Sequence, residues 1–219
     1  MEHPVLGRIR REGFMPLGWF APGKDDRAPD GTAFMILIGN AGPDMFRRFA
    51  RERDPARETL DAWTKATVDV LARDLSATAL YPFDEPPYPF LTWARAANAG
   101  HVSPLGLNIH PVYGLWHAYR AALLFPVEFD LPPASAGAHP CETCETKPCL
   151  SSCPVAAFDD RGYDVRRCGR HVLSPDGETC MTGGCLARLA CPVGKSYAYA
   201  PAQMQFHMRA FAEARKKDT

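Results

Sequence analysis

All eight cysteines of this 219-residue chain lie between Cys141 and Cys191. The first four have the spacing C-x2-C-x4-C-x3-C-P, which nearly repeats the C-x2-C-x2-C-x3-C-P run of bacterial iron–sulfur loops. The second four are more widely spaced, and they also end in a Cys-Pro pair, Cys191-Pro192. Four plus four thiolates fill two four-cysteine sites with none left over. The spacing therefore predicts two [4Fe-4S] clusters.

The two Cys-Pro pairs predict how the ligands are shared. In two-cluster ferredoxins the cysteine before the proline lies too far along the turn to reach its own cube, and it binds the other cluster. We therefore expect Cys153 and Cys191 to exchange between the two sets. The predicted ligands of the first cluster are Cys141, Cys144, Cys149 and Cys191. Those of the second are Cys153, Cys168, Cys180 and Cys185.

Two other uses of the cysteines stay open at this point. Structural zinc sites also take four cysteines, usually as C-x2-4-C pairs, but they do not need a repeated Cys-Pro ending. Disulfides belong to exported proteins, and the N-terminal residues carry charges without the apolar stretch of a secretion signal. Absorption near 400 nm that is bleached by dithionite would distinguish iron–sulfur clusters from both.

Charge and hydropathy narrow the class of protein. Lys+Arg and Asp+Glu are 25 each, so the formal net charge is zero, which argues against a nucleic-acid partner. No apolar run approaches the length of a membrane span. We therefore expect a cytoplasmic protein that does not bind a membrane. The sequence does not indicate its oligomeric state.

Hydrophobic periodicity predicts a mixed α/β domain over residues 1–133 and a cysteine-rich module over 134–219, joined by a linker at 131–137. The expected strands are Met15–Phe20, Thr32–Ile38 and Thr78–Phe83. The expected helices are Asp44–Arg53, Thr59–Leu75, Pro89–Asn98 and Pro201–Lys217. Trp116–Phe125 fits a strand, with a helix as the alternative. In the second helix, one apolar face is expected to hold Leu60, Trp63, Thr67, Val70 and Leu71.

The segment 103–116 combines two glycines and two prolines with His110, Tyr113 and Trp116 directly before an expected strand. Aromatic and glycine-rich loops at a strand end often line a site for a flat ligand. A tight turn that satisfies the histidine explains the same residues, and His110 as a metal ligand is a third interpretation.

The order of these features resembles a known group of proteins. Ile109–Trp116 (IHPVYGLW), a strand and then the Cys-Pro region resemble epoxyqueuosine reductases and, more distantly, reductive dehalogenases. The first region resembles the cblC-type cobalamin-processing proteins, in Met15–Phe20, in Asp44-Met45-Phe46 and in Asn108–Pro133.

The resemblance implies an α+β protein: a flavin-reductase-like, nitroreductase-related α/β domain that binds a corrinoid, followed by a bacterial ferredoxin-like two-cluster module. The clusters would supply electrons to the cobalt. The residues that the resemblance places at the corrinoid pocket are Ile109, His110, Pro111, Tyr113, Gly114 and Trp116. No acidic residue matches the proton donor of the epoxyqueuosine reductases, so a role in tRNA modification is not expected.

These features are compatible with three alternative functions. In the first, two clusters pass electrons to a cobalamin bound by the N-terminal domain, with a flavoprotein or a ferredoxin as the donor. In the second, the chain is a ferredoxin-type electron-transfer module whose N-terminal domain docks a partner enzyme and binds no organic cofactor. In the third, cluster loss signals oxidation. No catalytic residue is identified from the sequence.

Overall fold

The fold is described from a computed structural model, which covers residues 2–54, 58–132, 134, 137–159 and 162–217. The chain forms two compact units. The first contains Met1–His101 and His117–Gly137, and the second contains Val102–Trp116 and Ala138–Thr219. This division differs from a single cut after residue 133, because the segment Val102–Trp116 packs with the cysteine-rich part. The expected linker at 131–137 lies partly outside the described residues.

The first unit is an α+β domain built on a four-stranded antiparallel sheet with strand order β1-β2-β6-β3. Its strands are β1 (Met15–Phe20), β2 (Phe34–Ala41), β3 (Thr78–Leu80) and β6 (His117–Phe125). Its helices are α1 (Pro4–Arg11), α2 (Asp44–Glu52), α3 (Leu60–Asp74) and α4 (Phe90–Ala96), with a 3-10 turn at Lys24–Asp26.

Strand β2 is the centre of this sheet. Seven consecutive residues from Phe34 to Asn40 are buried, as predicted for a strand covered on both faces. Met35 and Leu37 pack with Trp93 of α4 on one face. Because side chains alternate along a strand, Ile36 and Ile38 point to the other face.

Phe49 of α2 and Trp63 of α3 pack edge to face, with ring centroids 5.7 Å apart. Phe14 stacks on the same indole at 5.9 Å. Burial of such large rings supplies much of the free energy that holds a domain of this size together.

The sequence predictions for the first unit need four corrections. Strand β2, expected over Thr32–Ile38, runs from Phe34 to Ala41. Helix α1 was not predicted, although Pro4 in its first turn is a helix-start signal. The strand expected to reach Phe83 ends at Leu80. The predicted face of α3 is wrong at Val70, which is 48% exposed, because the buried stripe continues through Thr64 and Val68 instead.

The second unit consists of short elements. Its helices are α5 (Pro148–Ser151), α6 (Val165–Val172), α7 (Glu178–Gly183), α8 (Leu186–Ala190) and the longer α9 (Pro201–Lys216). Two-residue strands form the pairs β4–β5 (His101–Val102 with Asn108–Ile109) and β7–β8 (Phe158–Asp159 with Gly162–Tyr163). Turns of 3-10 helix lie at Pro175–Gly177 and Lys195–Tyr197.

Two small cores hold the second unit, and each contains cysteines. One joins Leu105, Ile109 and Leu115 to Cys149 and Cys191. The other joins α6, α7 and α9 around Val172, Cys180 and Ala212, with Met208 and Phe211 packed against it. In the described part of the chain, no helix has both the length and the hydropathy that crossing a bilayer requires.

Candidate metal centres

Four cysteines form the first group, defined here as Cys141, Cys144, Cys149 and Cys191. Burial raises the pKa of the Cys141 thiol to about 11, and the neighbouring thiolates of Cys191, Cys149 and Cys144 add to the rise. Burial raises the pKa of Cys149 too, again with Cys191 and Cys144 as neighbours. Cys149 and Cys191 also lie in one small core, with Cys141 packed against it.

The other four cysteines form the second group, Cys153, Cys168, Cys180 and Cys185. Burial raises the pKa of Cys168, and the thiolates of Cys185, Cys153 and Cys180 raise it further. All four line one cavity of about 330 Å³, its mouth included. The rest of its wall is largely apolar, with Phe158, Val172, Leu186 and Met208 among the lining residues.

Each group therefore combines cysteines from both sequence sets. Cys149 lies inside α5 and Cys153 lies two residues beyond its end, yet they belong to different groups. Cys191 is the reciprocal case, because it follows α8 and joins the first group, whereas Cys185 precedes α8 and joins the second. Short helices thus separate cysteines that are neighbours in sequence, and the crosswise ligand assignment stays a prediction, since Cys153 and Cys185 also pack against the core that contains Cys149 and Cys191.

Backbone N–H groups point at the sulfurs in both groups. The N–H of Ala157 donates to Cys153 Sγ at 3.3 Å. Cys149 accepts from its own N–H and from that of Leu150, and Cys191 accepts from Val193. Such donors stabilise sulfur that carries negative charge, which is its state when it binds a metal.

The chemistry of the donor set fits two iron–sulfur clusters. Free cysteines with raised pKa values are protonated at neutral pH, and a bound metal centre would replace those protons and offset the burial of thiolate charge. Among the described residues, no three His, Cys, Asp or Glu side chains converge closely enough to hold a single metal ion. The thiolates of an iron–sulfur cube surround a larger body, so they stand farther apart than the ligands of one ion.

The segment Val102–Trp116 packs against the first group. Ile109 is 1% exposed, and it shares a core with Leu115, Cys149 and Cys191. The segment therefore helps to hold Cys149 and Cys191 in place at the candidate centre.

Two glycines set how closely this segment approaches the last cysteine loop. Gly114 has φ +58°, and a Cβ there would lie 2.1 Å from the carbonyl oxygen of Val193. Gly194 has φ +68°, and a Cβ there would lie 2.4 Å from the backbone of Tyr113. The two backbone segments therefore meet so closely that neither Gly114 nor Gly194 has room for a side chain.

His110 has a local role in the turn that closes this segment. Its Nδ1 accepts hydrogen bonds from the N–H groups of Val112 (3.0 Å) and Tyr113 (3.3 Å). Its backbone pairs with Gly114 in both directions. This is the geometry of a tight turn with a satisfied histidine, and it leaves Nδ1 occupied.

The remaining residues of the expected corrinoid pocket differ in exposure. Pro111 and Tyr113 are partly exposed, and Val112 between them is 46% exposed. Trp116 is buried, and its Nε1 has no hydrogen-bond partner among the described residues. The structure thus keeps the six residues together and leaves the tip of the turn as their accessible part.

Sequence reasoning missed Arg188, which ties this segment to α8. Its guanidinium stacks between the rings of Trp116 (4.7 Å) and Tyr199 (4.5 Å) and donates to the carbonyl of Leu115, from Nε at 3.0 Å. Its backbone N–H also donates to the sulfur of Cys185. An arginine between two cysteines is the one available signal, and it does not reveal a partner more than seventy residues away.

The fold is shared with two solved structures. An epoxyqueuosine reductase from Streptococcus thermophilus matches with a TM-score of 0.52 at 15% identity, over 87% of this chain and 65% of that chain. The B12-trafficking protein CblC of C. elegans, described as a human MMACHC homologue, matches with a TM-score of 0.53 at 15% identity, over 95% of this chain and 92% of that chain.

Comparison of the sequence with known proteins adds little to the two structural matches. T-complex protein 1 subunit theta-like 2 from Homo sapiens is 25% identical over 206 residues, and the chain spans 32% of its length. No family model matches. The resemblance seen in residues 109–133 and in the cysteine motif is confirmed at the level of structure, because the neighbours are an epoxyqueuosine reductase and a CblC protein.

Proposed function

We propose that this protein is an iron–sulfur redox protein that carries two [4Fe-4S] clusters and passes electrons to a second centre, a corrinoid held by its N-terminal domain. The observation that carries the proposal is one cavity lined by Cys153, Cys168, Cys180 and Cys185, four cysteines drawn from both sequence sets. When bound, the clusters would supply one-electron transfer.

The chain's own residues support such clusters in three ways. Four cysteines line an apolar cavity that limits water at the second group. Backbone N–H groups at Ala157, Leu150 and Val193 stabilise thiolate charge. Arg188 and the pair Gly114 and Gly194 hold the loops that carry the ligands. Within this proposal, residues 134–219 form a ferredoxin-like module, supported by the segment 102–116.

The corrinoid part of the proposal starts from the shared fold. The C. elegans neighbour is a B12-trafficking protein, and this chain covers 92% of it. The first unit would then be the flavin-reductase-like, corrinoid-binding domain. The six residues assigned to the pocket by resemblance lie in the second unit. Among them Pro111 and Tyr113 are partly exposed, whereas Ile109 and Trp116 are buried, so the proposal assigns the ligand contacts to Pro111 and Tyr113. A cytoplasmic flavoprotein or ferredoxin would be the donor.

A second function is favoured by one observation. The segment expected to line the pocket is packed into the cysteine-rich unit through Ile109, Gly114 and Trp116. Residues fixed in this way have a structural reason to be there without any ligand. In this alternative the protein is an electron-transfer module, and its first unit docks a partner enzyme and binds no organic cofactor.

Anaerobic purification with metal and sulfide analysis tests the clusters. We expect about eight irons and eight sulfides per chain, with absorption near 400 nm that dithionite bleaches. Zinc in place of iron, or a colourless protein after anaerobic reconstitution with iron and sulfide, would contradict the proposal.

Cobalamin titration separates the two functions. If the protein holds a corrinoid, the cobalamin spectrum shifts on addition of protein at tens of micromolar, and Tyr113→Ala weakens the shift. Tyr88→Ala is a matched control, since that tyrosine lies in the first unit against Trp93. An unchanged spectrum with intact clusters would remove the corrinoid and favour the docking module.

A further inference from the structure

The two cysteine groups differ in the side chains that donate to their sulfurs. In the second group, the Tyr163 hydroxyl donates to the Cys168 sulfur, and His171 Nε2 lies 3.9 Å from Cys180 Sγ. In the first group, the hydrogen bonds to Cys149 and Cys191 come from the backbone N–H groups of Cys149, Leu150 and Val193. The second group therefore has two donors that substitution can remove.

The position of Tyr163 is fixed by its neighbours. It pairs with Phe158 across the β7–β8 strands, and the two rings stack with centroids 4.8 Å apart and planes at 14°. Phe158 itself lines the cavity of the second group. The stacking fixes the phenol beside Phe158, and the Tyr163 hydroxyl donates to the Cys168 sulfur.

His171 is held from its backbone. Its carbonyl accepts hydrogen bonds from Ser174 N (3.0 Å) and Ser174 Oγ (2.8 Å) at the end of α6. Its ring lines the same cavity as Cys180. A metal-bound thiolate has no proton to give, so the His171–Cys180 contact is a hydrogen bond only with Nε2–H as the donor.

Hydrogen bonds to ligating sulfur change the reduction potential of a cluster. They withdraw electron density from the thiolate, which stabilises the more negative reduced state and raises the potential. The first group has Lys147 and Lys195 as nearby charges, acting on Cys141 and Cys191. Lys147 and Lys195 are exposed, so solvent and salt weaken their effect.

We propose that Tyr163 and His171 are potential-setting residues of the cluster bound by Cys153, Cys168, Cys180 and Cys185, and that they raise its reduction potential without acting on the other cluster. The inference rests on the proposed function, because it requires both clusters. It adds to that function that the reduction potential of the second-group cluster is set separately from that of the first-group cluster.

The test is a redox titration of the anaerobic full-length protein, followed by electron paramagnetic resonance. Cys149→Ala and Cys180→Ala, which each remove a ligand of one group, assign the two signals. Tyr163→Phe and His171→Phe should each lower the potential of the second-group cluster, and the double variant should lower it more. His171→Gln, which keeps an N–H donor, should restore part of the shift.

Controls separate this effect from damage to the fold. Tyr197→Phe removes a hydroxyl from the same unit, at a ring that packs on Tyr113, and should move neither potential. Full iron and sulfide content with unchanged potentials in the double variant would overturn the inference and leave the proposed function standing. Equal shifts of both clusters would overturn it as well. A wild-type protein without iron would instead contradict the proposed function, and the inference with it.

Discussion

The two units of this protein differ in what stabilises the interior of each. In the first unit, a long buried strand lies between layers of large apolar side chains, and none of the core residues is a cysteine. In the second, helices of four to eight residues surround two small cores that contain cysteines, and only α9 is long. Short helices gain little stability by themselves.

The apolar core of the first unit can stabilise that unit by itself. Under the proposed function, the stability of the second unit depends on what its cysteines bind. Burying apolar surface stabilises the first unit without any ligand. In the second, each core contains cysteines, and if these bind the proposed clusters, ligand binding and folding are coupled. Four substitutions test the contrast.

The largest effect is expected from Cys144→Ala in the first group. The variant should lose about half of the iron, because one cluster lacks a ligand. Amide hydrogen exchange should show loss of protection in α5 and α8, while β2 stays protected. Thr143→Ala changes the adjacent exposed residue and should retain all the iron. Unchanged iron in Cys144→Ala would show that the ligand assignment is wrong.

Trp93→Ala tests the first unit. Trp93 is fully buried, packs on Phe90 and donates from Nε1 to the carbonyl of Asp26 at 2.7 Å. Its removal should lower the free energy of unfolding of this unit by about 3–5 kcal/mol. Denaturation followed by exchange at β2 and β6 measures it. Leu91→Ala on the same helix, at a side chain that is 56% exposed, should cost less than about 0.5 kcal/mol.

Gly114→Ala tests the close approach within the second unit. The added methyl group would meet the Val193 carbonyl at 2.1 Å, so the two loops must separate. We expect a cost of about 2 kcal/mol or more and faster loss of the first-group cluster under chelation. Gly106→Ala is the matched control, since Gly106 also has positive φ (+69°) but no atom within 4 Å of its added Cβ. Equal effects of the two variants would mean that backbone strain, and not the contact, matters.

Glu12→Gln gives the smallest effect and depends on pH. Hydrogen bonds from Arg8, and then from Arg48, lower the pKa of Glu12 against its partial burial. Its stabilisation is therefore present above the unfolded pKa of about 4.3 and is lost as pH falls through the lower folded pKa. The variant should cost the first unit about 1 kcal/mol at pH 7, and the cost should shrink as the pH falls through the lowered folded pKa of Glu12. Asp44→Asn, in a pair that is 83% exposed at the carboxylate, should change little at either pH.

Much of the first unit could be predicted from local pattern. Strand β1 has the predicted bounds, and the segment expected over Trp116–Phe125 forms strand β6 from His117 to Phe125, which pairs with both β2 and β3. The face of α3 was harder to predict, since Thr64 is buried and returns its hydroxyl to the carbonyl of Leu60 at 2.7 Å. From the sequence alone a threonine is expected on the polar face of a helix, because this hydrogen bond within the helix is not visible there.

In the second unit, cysteine spacing supports a prediction of which cysteines share a group, and that assignment stays a prediction. Contacts between segments that are distant in sequence could not be predicted. The meeting of Gly114 with Gly194 joins residues eighty positions apart, and no local signal marks them as partners. Tyr163 and His171 lie within three to five residues of Cys168, but the sequence does not show that they face sulfur.

Cys149 and Cys153 provide a test of the crosswise sharing of cysteines. They lie four residues apart in one sequence run but in different groups. The measurement is the electron paramagnetic resonance spectrum of the reduced, anaerobic full-length protein carrying Cys149→Ala, Cys153→Ala, Cys180→Ala or Cys191→Ala. If the cysteines are shared crosswise, Cys149→Ala and Cys191→Ala lose one signal, while Cys153→Ala and Cys180→Ala lose the other. Loss of the same signal in Cys149→Ala and Cys153→Ala would contradict it.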